Sequence, residues 1–380
     1  MIYLDNSATT KPYAEVMDTY RTVSEQYFAN PSSLHSLGGK SEALLTRSRD
    51  QAASLLHVDP SEIVFTSGGT EGNNLAVKGA VFAYKNRGKH LITTSIEHAS
   101  AGHAFEQLEE LGFEVTYLPV DSEGRISFDQ FKKAYRDDTI LVSVMHVNNE
   151  VGTIQPIAEI GAFLRQKPKT IFHVDHVQGI AKVPLELKTS GIDLCTISGH
   201  KFHGPKGTGL LYVRKGTLLS PLFAGGGQEH QLRSGTENLP GICGMVKALR
   251  LTLEHEKEGI RHLAALQSKL FEGLKQIDGA SVHTPEQLSA PHIVNVSLRG
   301  IKSEVLVHAL EKDEIYVSTK SACSSKENGA SGILTAMGIS PEEAEQAIRI
   351  SMAYETTEED IDIFLATLAD KVGQLKIVMR

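Results

Sequence analysis

Two short β-branched runs, each ending in a cluster of polar residues, constrain this chain more than any other feature. Thr170-Ile171-Phe172-His173-Val174 closes on Asp175-His176-Val177-Gln178, and Ile192-Asp193-Leu194-Cys195-Thr196-Ile197 closes on Ser198-Gly199-His200-Lys201. Runs this short, apolar and β-branched read as buried strands. Around them, from about Pro12 to Leu249, helical patterns alternate with further apolar runs, which predicts an α/β fold with a largely parallel sheet. Open sheets of that kind bind ligands beyond the C-terminal ends of their strands, where both polar clusters fall.

Lys201 and Asp175 therefore read as an amine and a carboxylate at two strand ends. That pair suits pyridoxal 5'-phosphate: the amine forms a Schiff base, and the carboxylate keeps the pyridine nitrogen protonated so that the ring draws electrons. Ser198 and His200 flank the lysine with donors for a phosphate. A separate anion cradle is expected where the strand-like Glu62-Ile63-Val64-Phe65-Thr66 runs through Ser67-Gly68-Gly69-Thr70-Glu71-Gly72 into a helix opening at Asn73. Free N–H groups, the positive helix end and the Thr70 hydroxyl favour an anion there. The turn matches neither G-x-x-x-x-G-K-[ST] nor G-x-G-x-x-G, which weakens both nucleotide readings.

The rest of the composition narrows the class. A length of 380 residues with 41% hydrophobic residues suits two or three domains. The net charge of −8 argues against nucleic acid or an anionic membrane as the main partner. No apolar run approaches the roughly 20 residues that span a bilayer, and three sparse cysteines fit a reducing compartment, so a cytoplasmic protein is expected. Sixteen histidines and the run His173-Val174-Asp175-His176 raise a metal-dependent hydrolase. In a strand, however, His173 and Asp175 share one face while His176 points away, so three ligands do not converge. After Pro240 a long helical pattern, with a possible break at Gly259, leads into a second unit. Its strands are Ile293–Ser297 and Ile348–Met352, and its last helix starts at Thr356 with a capping box to Glu359.

Cys323 lies in the polar, Gly- and Ser-rich stretch from Lys320 to Gly332, which has no helical or strand period and reads as a mobile loop. A thiol there has no packing reason to be cysteine, whereas Cys195 in an apolar strand and Cys243 in a helix do. Cys323 is thus the candidate nucleophile, with Lys320 and Lys326 near enough in sequence to favour its thiolate.

Taken together, Thr66-Ser67-Gly68-Gly69-Thr70-Glu71, Met145-His146-Val147-Asn148-Asn149-Glu150-Val151-Gly152-Thr153, Ser198-Gly199-His200-Lys201, Arg233-Ser234-Gly235-Thr236-Glu237-Asn238 and Ser321-Ala322-Cys323 resemble a cysteine desulfurase of the NifS/IscS type. The likeness runs from Tyr3-Leu4-Asp5-Asn6 to Arg349-Ile350-Ser351. It implies a fold-type I enzyme: a large domain over 14–257 with a mostly parallel, mixed seven-stranded sheet, and a small α+β domain from 1–13 and 258–380 carrying the cysteine loop. It implies release of L-alanine from L-cysteine, with the sulfur kept as a persulfide on Cys323. By the same resemblance Lys201, His98 and Cys323 are catalytic. Gly69, Thr70, Asn149, Asp175, Gln178, Ser198, Gly199, His200, Lys201 and Thr236 hold the cofactor, and Asn149 and Arg349 hold the substrate. Thr236 would serve the partner subunit of a homodimer, and an iron–sulfur scaffold, a tRNA-thiolation enzyme or a thiamine-pathway carrier would accept the sulfur. Three positions depart from the family: His176 where a small residue is usual, Ala29 in place of Gly, and Lys320 before Ser-Ala-Cys. A selenocysteine lyase or aminotransferase on the same fold is the alternative, although an aminotransferase has no use for Cys323.

Overall fold

The computed structural model describes residues 1–319 and 330–378. Seven strands form one sheet in the order Ile63–Thr66, Gly209–Val213, Leu194–Ser198, Ile171–Asp175, Thr139–Met145, His90–Thr94 and Glu114–Leu118. All run parallel except Gly209–Val213, which is antiparallel to both of its neighbours. The alternating pattern predicts its largely parallel character, and the resemblance its seven mixed strands.

Successive side chains of a strand point to opposite faces, and here each face has its own core. Phe65, Phe172, Val174, Ile197 and Leu210 pack on one side with Val16, Leu45 and Leu249 from the helices Ala14–Gln26, Ser36–Leu55 and Leu239–Glu254. Val64, Ile171, Leu194 and Leu211 pack on the other with Leu75 and Val81 of Gly69–Tyr84 and Phe105 of Ala99–Glu110. A sheet covered on both sides must place its polar chemistry at the strand ends, because burial of each large apolar side chain is worth about 1.5–3 kcal/mol.

The remainder of the chain builds a second core. The antiparallel strands Ala347–Ser351, Ile293–Leu298 and Ala280–Val282 carry the helices Glu256–Lys275, Ser303–Glu311 and Glu358–Val378. Leu4 is buried in this core beside Val296, Ile348, Ile350 and Phe364, and Ile2–Tyr3 pairs in parallel with Ile315–Tyr316. The first residues of the chain thus pack among the last. Among the described residues no helix is long and apolar enough to cross a membrane.

Three local expectations shift. The long helical pattern breaks at His255, between Leu239–Glu254 and Glu256–Lys275, and not at Gly259. Gly259 is small for a packing reason, since a Cβ there would stand 2.4 Å from Tyr354 Cε1. The final capping box belongs to Thr357 and Asp360: the Thr357 N–H donates to Asp360 Oδ2 at 2.9 Å, and the Asp360 N–H donates to Thr357 Oγ1 at 3.1 Å. The helix expected to open at Asn73 begins one turn earlier, at Gly69.

Candidate active site

Asp175 ends its strand in register with Thr196, and Lys201 follows the adjacent strand on the short 3-10 turn Gly199–Lys201. The polar ends of the two runs are therefore side by side. Asp175 is buried; Oδ2 accepts from Asn73 Nδ2 at 2.7 Å and Oδ1 from the Val177 N–H at 3.0 Å. Lys201 Nζ donates to the Ser7 carbonyl and, at 2.9 Å, to the Ala8 carbonyl, so the N-terminal segment forms one wall of the site. Behind it Lys182 Nζ donates to the Lys201 carbonyl at 3.0 Å, and burial pushes the Lys182 amine down to about 8.

The turn expected to cradle an anion lies where the edge strand Ile63–Thr66 meets the helix Gly69–Tyr84. Gly68 turns the chain at φ +148°, a conformation that side chains rarely adopt. Gly69 lies so close to Val177 that a Cβ would stand 3.2 Å from its Cγ2. The first turn of this helix offers N–H groups without intrahelical partners. Facing them is Ser198, whose Oγ is buried and has no hydrogen-bond partner among the described residues. Gly199 backs onto Thr208, where a Cβ would come 2.4 Å from Oγ1. His200 bonds Thr9 Oγ1 through Nδ1 at 3.2 Å; burial, and then the Lys201 charge, pushes it down to about 4, which keeps the ring neutral.

Gly69, Asp175, Ser198, His200 and Lys201 open onto one cavity, which Thr70, His98, Asn149, Gln178 and Arg349 also line. Gln178 Nε2 donates to the Ser7 carbonyl at 3.0 Å. Arg349 alternates with Ile348 and Ile350, which face the second core, and its guanidinium is buried against Asp5 and the Asn149 carbonyl. Asn149 Oδ1 and Arg349 Nε are buried without partners among the described residues. Such unpaired groups in a polar cavity favour a ligand with complementary donors and a carboxylate. His98 lines the cavity and also caps the helix Ala99–Glu110.

One expected residue among those described, Thr236, is not brought here. Thr236 lines a different pocket with Arg233, Glu229 and Thr208, and Cys323 lies outside the described residues. Cys195 and Cys243 are buried, and burial raises both thiols, so neither is a ready nucleophile. His173 is held between Ser143 Oγ at 2.8 Å and Thr196 Oγ1 at 3.0 Å. Asn73 and Ser100 were not singled out in the sequence. Their signal is spacing: Asn73 stands one helical turn after Gly69, and Ser100 two residues after His98.

Known proteins place this architecture. The family model described as aminotransferase class-V matches residues 2–364. A NifS/IcsS protein homolog of Lactobacillus delbrueckii is 49% identical, covering 98% of this chain and 97% of its own. Cysteine desulfurase IscS of Methanosarcina thermophila is 44% identical over 99% of this chain and 93% of its own. The chain belongs to the class-V aminotransferases, among the NifS/IscS cysteine desulfurases. A solved NifS-like protein superposes on this desulfurase with a TM-score of 0.92 at 39% identity, over 98% of this chain and 99% of the other. A structure described as SspA in complex with cysteine gives 0.82 at 35%, over 94% and 100%. Enzymes of this family depend on pyridoxal phosphate, and the site fits it. The unpartnered Ser198 hydroxyl and the helix start at Gly69 suit the phosphate, the Asp175 carboxylate a pyridinium, and the Lys201 amine an aldehyde.

Proposed function

We propose that this cysteine desulfurase moves the sulfur of L-cysteine onto Cys323 and releases L-alanine, with each residue acting where its chemistry places it. The observation that carries the reading is convergence: Lys201, Asp175, the unpartnered Ser198 Oγ and Arg349 border one cavity. Gly69, Thr70, Ser198, Gly199 and His200 would hold the cofactor phosphate, Asp175 its ring nitrogen, and Gln178 and Asn149 its remaining polar edge. When bound, the cofactor supplies an electron-withdrawing ring that stabilises negative charge on the substrate α-carbon. Arg349 grips the substrate carboxylate, and Lys201 takes and returns protons at the α-carbon side. The Cys323 thiolate attacks the substrate sulfur. A new S–S bond forms as the Cβ–S bond breaks, and the electron pair goes to the substrate carbon, which takes up a proton to become the methyl group of alanine.

The same reading divides the chain into a large unit over 14–257 and a small one from 1–13 and 258–380. It makes the enzyme a homodimer in which Thr236 serves the phosphate site of a second copy, and it sends the persulfide to an iron–sulfur scaffold or a tRNA-thiolation enzyme. A Cys323→Ser variant tests the central step. A serine hydroxyl is too weak a nucleophile toward sulfur, so the variant should retain the cofactor and its absorbance change on adding L-cysteine while losing sulfide and alanine production. Parent-rate production of both by that variant would show that sulfur leaves without Cys323, and would move the chain to the lyase reading.

A further inference from the structure

Four side chains join the floor of the cavity to its rim. Asp175 Oδ2 accepts from Asn73 Nδ2 at 2.7 Å, Asn73 Nδ2 also donates to Ser100 Oγ at 2.9 Å, and Ser100 Oγ lies 2.8 Å from His98 Nδ1. The Ser100 backbone N–H donates to the same ring nitrogen at 3.2 Å, as part of the cap of the helix Ala99–Glu110.

Each bond in this series has a direction, and Asp175 sets it. An ionised carboxylate only accepts, so the Asn73 amide must present nitrogen to it; the flipped amide would set Oδ1 against a negative oxygen. Both amide hydrogens are then spent, on Asp175 and on Ser100, while Asn73 Oδ1 is buried without a partner among the described residues. Ser100 Oγ, having accepted from Asn73, has its own hydrogen left for His98 Nδ1. With an O–H and an N–H both directed at it, Nδ1 is an acceptor. The hydrogen of the neutral ring therefore sits on Nε2, because the bond made at one ring nitrogen fixes the state of the other.

We propose that Asn73 and Ser100 are positioning residues that relay the orientation imposed by Asp175 to His98 and hold its ring as the Nε2–H tautomer. His98 then meets the substrate as a hydrogen-bond donor. A ring that carries hydrogen at Nε2 and accepts at Nδ1 has no lone pair left for the substrate's α-proton, and that transfer falls to Lys201. The inference rests on reading Asp175, His98 and Lys201 as one site, but its test does not pass through turnover. The protein, with and without pyridoxal phosphate, is labelled with ¹⁵N-histidine, and the His98 signals are found by their loss in His98→Gln. Long-range ¹H–¹⁵N correlations should place parent Nδ1 in the unprotonated range and Nε2 in the protonated range. Asn73→Asp replaces the donor with a carboxyl group that accepts the Ser100 hydrogen, so Nδ1 keeps only the Ser100 backbone N–H and the two ring-nitrogen shifts should draw together. Ser100→Thr keeps the hydroxyl and should keep the parent pattern. Hydrogen on Nδ1 in the parent, or an Asn73→Asp spectrum identical to the parent's, overturns the proposal. Absence of desulfurase turnover in a parent that shows the Nε2–H pattern would sink the functional reading and leave this one standing.

Discussion

Arg349 and Asp5 meet across the two ends of the chain: Arg349 Nη2 donates to Asp5 Oδ1 at 3.0 Å while Nη1 donates to the Asn149 carbonyl at 2.8 Å. Burial raises the Asp5 carboxyl above its usual range, although the Arg349 charge works in the opposite direction. The guanidinium is thereby fixed before any substrate arrives. Its planar fork cannot be copied by an ammonium group. Arg349→Lys should raise KM for L-cysteine about tenfold to a hundredfold, the equivalent of about 1.5–3 kcal/mol for lost hydrogen bonds to a charged group. Steady-state kinetics checks this, and an unchanged KM would remove Arg349 from the substrate carboxylate.

Lys201→Ala should abolish turnover, because both the covalent hold on the cofactor and the adjacent proton carrier are lost. It also deletes the bonds from Nζ to the Ser7 and Ala8 carbonyls. The N-terminal segment should therefore become more open to proteolysis near Ser7. Alanine production together with a timed digest measures both effects, and a parent-like rate would contradict the role given to Lys201.

What could be read from the sequence follows from how local each signal is. Asp175 and Lys201 were legible because each closes a short apolar run, and a parallel sheet brings such ends together. Arg349 was legible as the odd member between two isoleucines, but its contact with Asp5 depends on the N-terminal strand crossing to Ile315–Tyr316, which no local pattern encodes. Asn73 was hidden because the helix was expected to open there; starting it at Gly69 turns that side chain toward Asp175. Gly259 looked like a helix breaker because its reason, the ring of Tyr354, lies far along the chain.

Glu97 is half-buried, accepting from Thr94 Oγ1 at 2.8 Å and the Met145 N–H at 2.9 Å, and desolvation pushes its carboxyl up to about 8. A carboxyl held above its unfolded value of 4.5 favours the folded state fully below that value, and the contribution is lost as pH rises toward 8. Glu97→Gln keeps the shape without the charge. Its stability relative to the parent should therefore improve steadily between pH 5 and about 8. Urea melts across that range measure the difference, and a constant or shrinking difference would show that Glu97 is ionised in the folded protein.

His176 packs on His146 with the two Nδ1 atoms 2.9 Å apart. One nitrogen must donate and the other accept, so at least one ring is neutral. Burial pushes His146 down to about 4 and His176 well below its ordinary value. For histidines depressed in this way the unfolded chain binds more protons, so their stabilisation is present above pH 6.5 and lost as pH falls toward about 4. His176→Ala should cost about 1–3 kcal/mol at neutral pH by leaving His146 Nδ1 without its partner. It should also flatten the acid side of the stability profile, because one of the two suppressed titrations has been removed. The two melting curves should then approach each other between pH 6.5 and 4. Curves that stay parallel through that window would mean that His176 already carries a proton in the folded enzyme.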